Sequence, residues 1–374
     1  MPVEISFEPP AGYLLEAGRD GENLKVAFRE FTSTEDGQHF IQRLEKFPST
    51  ILQKLPNPIL PSQVDHLLAV CSRDGKATVY INELALRVAI RAARPVEAGA
   101  GVTKDDIADV ERFELGVQIP DDAGFLFVFS VGWRKGLFYD FGPIPGPNPQ
   151  QRQYDISSIL GQAYCHILFQ ERFNISAVEW DALFVAKWFP FAGLRDETIN
   201  TLISHVRSSW DPDEELHDII SEIKGRIPQM LDSWRTRPSF TKHMKILEHA
   251  AERFQNDDPV SCTALLFPRI EGILRTHHTS LGIEERPSSD SLAHLAVATK
   301  IEKGKCLLLP HRFDDYLRDV YFADFNPDTP EIDISRHSIA HGVASGSLFN
   351  QKSAIISILI VHQLFYFLDK PPEE

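Results

Sequence analysis

The segment from Ala354 to Leu368 constrains the fold most, because it is apolar at nearly every position and offers no polar face to water. It is shorter than the ~20 residues a membrane-spanning helix needs, and His362 and Gln363 interrupt it. Such a helix must be wrapped by others, which puts it at the centre of a helical bundle. Just ahead of it stands a polar patch, Ile334-Ser335-Arg336-His337-Ser338-Ile339-Ala340-His341-Gly342. An arginine followed at once by one histidine, with a second four residues further on, joins groups that can handle a phosphate and a proton. No other stretch of the sequence does so.

One bundle does not account for 374 residues, and a chain of this length divides into two or three domains. With 43% hydrophobic, 24% charged and 10% aromatic residues, the composition is that of a globular protein and excludes wholesale disorder. The net charge of -15 argues against a broad basic surface, so duplex DNA is not an expected partner. Cys71, Cys165, Cys262 and Cys306 lie far apart with no C-x-x-C pair, which suggests neither a zinc knuckle nor a disulfide framework. Met1-Pro2-Val3-Glu4 begins no basic leader ahead of an apolar run. The expectation is a cytoplasmic chain with no membrane partner and no cofactor.

The best boundary is Gly142-Pro143-Ile144-Pro145-Gly146-Pro147-Asn148-Pro149, which blocks regular structure. Before it, residues 1–150 read as a mixed α/β domain of unassigned role. Val3 to Glu8 and Leu24 to Phe31 alternate as half-buried strands do, and Ala77 to Asn82 reads as another. Glu35 to Phe47 has helical spacing, Leu86 to Arg94 fits strand or helix, and Thr103 caps a short acidic helix start. Phe125 to Val131, a turn over Gly132-Trp133-Arg134-Lys135-Gly136, and Leu137 to Phe141 form a β-hairpin. Trp133 and Arg134 at its tip either touch a ligand or fold back on the sheet.

Beyond the boundary every pattern is helical, so the fold class is α+β. A helical middle, 151–238, includes Asp211-Pro212-Asp213-Glu214 as the cap of a long helix with a kink at Pro228. A last unit, 239–374, opens with Lys242 to Phe254 and Val260 to His278. Leu292 to Thr299 and Phe313 to Phe322 follow, and Asn326-Pro327-Asp328-Thr329-Pro330 leads into the polar patch. From residue 241 on there are 14 Lys and Arg against 19 Asp and Glu, yet nine of the chain's 14 histidines fall there. That concentration suits proton chemistry or pH-sensitive packing. His277 and His278 read as surface residues, and Asp314, Asp315, Asp319 and Asp324 as a solvated face.

Arg336-His337-Ser338-Ile339-Ala340-His341 resembles the signature of the HEPN family (higher eukaryotes and prokaryotes nucleotide-binding domain): an arginine, a polar residue after it, and a histidine after a four-to-six-residue gap. An upstream helix with an acid and an arginine, Pro268-Arg269-Ile270-Glu271-Gly272-Ile273-Leu274-Arg275, and the closing apolar helix agree with it over roughly 240 to 370. The resemblance implies a C-terminal HEPN-like bundle that forms a homodimer, with two motifs meeting in a cleft. It implies a metal-independent endoribonuclease, of a kind often used as a toxin or phage-defence effector, or else a non-catalytic module for dimerisation or for nucleotide, RNA or protein binding.

Carried over residue by residue, His341 exchanges the proton of a ribose 2′-hydroxyl or of the leaving 5′-oxygen. Arg336 stabilises charge on the phosphorane, His337 is an auxiliary polar contact, and Glu271 and Arg275 are supporting residues. RNA cleavage through its own 2′-hydroxyl needs a group titrating near neutrality and a fixed cation. A helix starting near Ser335 would add free N–H groups to an anion site. Other readings of the same residues remain. Arg336 pairs with Glu271 or Asp333 for structure alone, and His341 is a buried helix-end residue. His337 and His341 have metal-ligand spacing, but with no third ligand adjacent none is assigned.

Overall fold

The computed structural model describes residues 2–8, 12–14, 19–21, 23, 26–144, 151–301, 306–325 and 333–368. The Pro-rich segment 145–149 and the approach to the polar patch, 326–330, lie outside them, as do residues 24 and 25. The chain is α+β and folds as two compact units. One comprises residues 1–90 and 110–170, the other 91–109 and 171–374.

The described residues of the first unit form strands and short helices, named in sequence order: β1 (Val3–Ser6), β2 (Tyr13–Leu14), β3 (Val26–Ala27), β4 (Arg29–Ser33), α1 (Gln38–Lys46) and α2 (Pro48–Gln53). Then come β5 (His66–Cys71), β6 (Lys76–Ile81), β7 (Arg87–Ala92), β8 (Ile107–Glu114), β9 (Gly124–Val131), β10 (Arg134–Asp140) and α3 (Ile156–Leu168). Six strands pair antiparallel in the order β1-β6-β5-β9-β10-β4. β2–β3 and β7–β8 form two separate two-stranded ribbons, and the division between units falls within the second.

Both faces of the large sheet are covered, which explains the unbroken apolar run of β9. Leu126 and Val128 pack with Phe40, Ile51 and Leu52 of α1 and α2 on one face. Phe125, Phe127 and Phe129 pack with Leu160, Ala163 and Ile167 of α3 on the other. The hairpin turn is tighter than its composition suggested. Val131 pairs with Arg134, leaving a two-residue turn in which Gly132 takes φ +61, so Arg134, Lys135 and Gly136 belong to β10. Trp133 does not fold back on the sheet: it is 75% exposed, with the Arg134 guanidinium 4.9 Å from its ring centre.

The second unit is helical: α4 (Gln170–Phe173, which begins at the unit boundary), α5 (Ala177–Val185), α6 (Asp196–Arg207), α7 (Leu216–Arg235), α8 (Pro238–Thr241), α9 (Met244–Gln255) and α10 (Pro259–Ser280). It continues with α11 (Ser289–Ile301), α12 (Pro310–Tyr316), a π-helical turn over Leu317–Tyr321, α13 (Arg336–Ala340) and α14 (Gln351–Phe367). α14 is the apolar segment of the sequence, buried from Ser353 to Leu364, and it packs against α7, α9, α10 and α11. Helices on either side of Arg237-Pro238 share one core, from Ile175 to Leu368, to which Ala93 and Ala108 also contribute. Pro228 and Pro268 both lie inside helices.

Several local expectations give way to packing. His277 and His278 are buried, not surface residues. Asp314 is also buried, accepts from Arg318 at 2.6 Å and lies 3.5 Å from His294, so the acidic segment is not one solvated face. Thr103 heads only a single 3-10 turn, after which β8 begins. All four cysteines are buried free thiols. No helix among the described residues is long and apolar enough to cross a membrane.

Candidate active site

The polar patch folds into α13, a helix fixed at both ends by its own sequence. At the start, the Ser335 hydroxyl accepts the Ser338 N–H at 3.1 Å, and the Ser335 N–H donates to the Ser338 hydroxyl at 2.9 Å. At the end, the Gly342 N–H donates to Ile339 O and the Val343 N–H to Ser338 O, each at 3.0 Å. This closure needs a left-handed residue, and Gly342 supplies φ +70 without a Cβ to clash. The capping serines use donors at the helix start, and five residues build too little dipole for the anion site expected there. Ile334 and Ile339 pack on the unit's core and seat α13 against α10.

Arg336 points to α10. Its Nε donates to Glu271 Oε2, while Arg275 Nε donates to Glu271 Oε1 at 2.7 Å. One carboxylate thus holds two guanidinium groups through their Nε edges. The Glu271 side chain is 9% exposed, against 26% for Arg336 and 41% for Arg275. A buried carboxylate is tolerated only when well paired, and two arginines leave this cluster with a net positive charge. The alternative partner, Asp333, binds Lys187 at 2.9 Å instead.

The histidines lie apart from that pair of bonds. His337 is part-buried, with Nε2 3.4 Å from the Ser289 hydroxyl and 3.9 Å from Asp324, and its ring 6.4 Å from that of Phe322. His341 is not buried: it caps the C-terminus of α13, donates its backbone N–H to His337 O at 3.0 Å, and presents an exposed ring 5.7 Å from that of Phe325. Arg336, Glu271 and Arg275 therefore form one network, while His337 follows Arg336 on the same short helix and His341 stands at its C-cap. Among the described residues, no group of three His, Cys, Asp or Glu side chains is arranged to hold a metal ion.

Sequence reasoning overlooked Tyr321. An α-helix would bond the Glu271 N–H directly to Phe267 O. In this protein the Tyr321 hydroxyl bonds both of these groups, accepting from the Glu271 N–H at 2.9 Å and donating to Phe267 O at 2.6 Å. Pro268, which lacks an N–H and crowds the carbonyl four residues back, weakens α10 at the same place. Burial, reinforced by the Glu271 carboxylate, pushes the Tyr321 phenol well above its ordinary pKa and keeps it protonated. Pro268 was the one sequence signal of a weakened ladder in this part of α10.

The site is thus a short, doubly capped helix carrying an exposed imidazole and an arginine whose orientation is set by a buried carboxylate. Such an arrangement can bind an anionic group and exchange a proton beside it. No family model, curated protein or solved structure matches this chain.

Proposed function

We propose that the chain is a metal-independent endoribonuclease of HEPN type, acting as a homodimer through its C-terminal bundle. The observation that carries this reading is the Nε-edge contact between Arg336 and Glu271. It fixes the guanidinium plane and leaves the terminal N–H pair, on a side chain 26% exposed, for phosphate oxygens. His341, exposed one helix length away, supplies the proton acceptor.

In the proposed reaction the imidazole takes the proton of a ribose 2′-hydroxyl as the 2′-oxygen bonds to phosphorus. The P–O5′ bond breaks, the leaving 5′-oxygen takes up a proton, and a 2′,3′-cyclic phosphate remains. Arg336 stabilises the charge that builds on the phosphorane oxygens, and Arg275 adds a second positive charge beside it. His337 is an auxiliary polar contact. The second copy of the motif, across the dimer, contributes the histidine that protonates the leaving oxygen. A toxin or phage-defence role fits such an activity.

One observation favours a second reading, a non-catalytic module that dimerises or binds RNA, nucleotide or protein. Arg336 is already paired with Glu271, and a purely structural ion pair would look the same. Incubating the purified chain with RNA in EDTA separates the two. Cleavage that leaves 2′,3′-cyclic phosphate ends and falls by at least about 100-fold in His341→Ala and in Arg336→Ala supports the enzyme. Absence of cleavage, or equal cleavage by His341→Ala, removes it and leaves the binding module.

A further inference from the structure

Apart from the Arg336 region, the helical unit holds an open cleft of about 430 Å³, a size within the range of small-molecule sites. Three segments line it: the 91–109 segment with Arg94 and Asp105, the head of α6 with Arg195, and one face of α7 with Glu222, Gly225 and Arg226. Asp218 and Ser221 stand exposed along the same α7 face. Formal charges in the lining balance, and two of its three carboxylates already accept hydrogen bonds from the protein. Glu222 accepts the Arg195 N–H at 3.0 Å and the Thr198 hydroxyl at 3.1 Å, and pairs with Arg195 Nε at 3.2 Å. Asp105 accepts the Asp196 N–H at 2.8 Å.

The arginines keep donors in reserve. Arg195 uses its Nε on Glu222 and Arg94 its Nε on Asp106, at 2.6 Å, with both side chains nearly half exposed. A guanidinium bound by that edge still presents its planar terminal N–H pair. Arg226 lies deeper. It donates to the carbonyls of Gly193 and, at 3.0 Å, Ala93, and its nearest carboxylate is Glu222 at 3.8 Å. Burial, and to a lesser extent the Arg94 charge, lowers its pKa, so its positive charge would gain from a close anion.

Gly225 supplies a further, independent feature. Nothing lies within 4 Å of where its Cβ would be, so the α7 backbone is bare at the cleft wall. A mid-helix glycine costs about 0.5–1 kcal/mol relative to alanine, and the packing here gives no reason for one.

We propose that this cleft binds a phosphate-bearing small anion, with Arg94 and Arg195 as hydrogen-bond donors, Arg226 as the charge beneath them, and Gly225 as the wall it lies against. The shared chemistry is the phosphoryl group, whether of free phosphate or of a nucleotide whose sugar hydroxyls reach Asp218 and Ser221. The site is separate from Arg336 and holds whether or not the chain cuts RNA.

Calorimetric titration of the full-length protein with inorganic phosphate, pyrophosphate and ADP tests the proposal. At least one of the three binds with a stoichiometry of one per chain. Gly225→Leu, which breaks no bond and meets open space, weakens that binding by at least about tenfold without lowering the melting temperature. Arg94→Gln weakens it in the same direction and serves if the leucine variant folds poorly. Tighter binding of ADP than of pyrophosphate identifies a nucleotide, and equal binding identifies free phosphate. No binding by any of the three, or binding unchanged in Gly225→Leu and Arg94→Gln, overturns the proposal.

Discussion

His362 sits inside α14, fully enclosed by the helical core, with its Nδ1 accepting the Trp234 indole N–H at 3.2 Å and its Nε2 3.5 Å from the Tyr366 hydroxyl. Burial, with a smaller contribution from the Arg226 charge, pulls its pKa down to about 3. His243, also buried, falls to about 4, chiefly through burial and then through Arg269 and Lys242. Both folded values lie below the ordinary histidine value of 6.5. The unfolded chain therefore takes up protons as pH falls below that value while the native chain does not. Their stabilisation is complete above pH 6.5 and is lost down to about pH 4 for His243 and about pH 3 for His362, by a few kcal/mol each on the order-of-magnitude scale of such shifts. Melting temperature should therefore fall across this window, and His362→Gln, which keeps a neutral acceptor for Trp234, should flatten the slope. An unchanged slope would show that His362 titrates alike in the folded and the unfolded chain. The histidine-rich last third of the chain suggested groups titrating near neutrality, but burial divides them. His243, His277, His278 and His362 are interior while His341 is exposed, and composition carries no record of which helix face each occupies.

At the scale of elements, α10 couples the core to the candidate site, because the buried Tyr321 hydroxyl bonds the backbone at Phe267 and Glu271 and so helps set where the Glu271 carboxylate emerges. Tyr321→Phe removes one hydroxyl that bonds two backbone groups of α10, so the loss in stability should be modest, about 1 kcal/mol. The local consequence is larger: Glu271 shifts, and the Arg336 Nε–H resonance moves toward that of a free arginine in NMR spectra. A Tyr321→Phe protein whose Arg336 resonance matches wild type would exclude this positioning role. Nothing in the sequence marks Tyr321, since its partner lies fifty residues away on another element. Elements with a strong period were legible, including the β9–β10 hairpin, α9, α10 and α14. β5 was not, because His66-Leu67-Leu68-Ala69-Val70-Cys71 is largely buried on both sheet faces and does not alternate in polarity. β8 was hidden behind the acidic turn at Lys104–Asp106, whose cap imitates the start of a longer helix. The Arg336–Glu271 pairing was readable as one of two options. Only packing decides it, by giving Asp333 to Lys187.

For the molecule as a whole, the helical unit is discontinuous in sequence, since residues 91–109 belong to it although 110–170 intervene before it resumes. Composition cannot foresee this, because the excursion passes through β7 and β8 and bears no proline-rich boundary of the kind found at 142–149. The segment is built into the core. Ala93 and Ala108 pack there, the Ala93 carbonyl accepts from Arg226 at 3.0 Å and from the Tyr366 hydroxyl at 3.2 Å, and Arg91 donates to Tyr366 O at 2.6 Å. Asp109, also buried, accepts the Leu307 N–H at 3.1 Å and lies 3.4 Å from the buried Lys300 ammonium. Removing one member of a buried ion pair costs about 3–5 kcal/mol, a large share of the stability of an ordinary domain. A fragment of residues 171–374 contains α13 and α14 whole, yet it lacks every one of these contacts. It should therefore be helical by circular dichroism but melt broadly and well below the intact chain, and a synthetic peptide of residues 91–109 added in excess should raise its melting temperature. Cooperative melting of the fragment at the temperature of the intact chain would show instead that the segment only decorates the bundle.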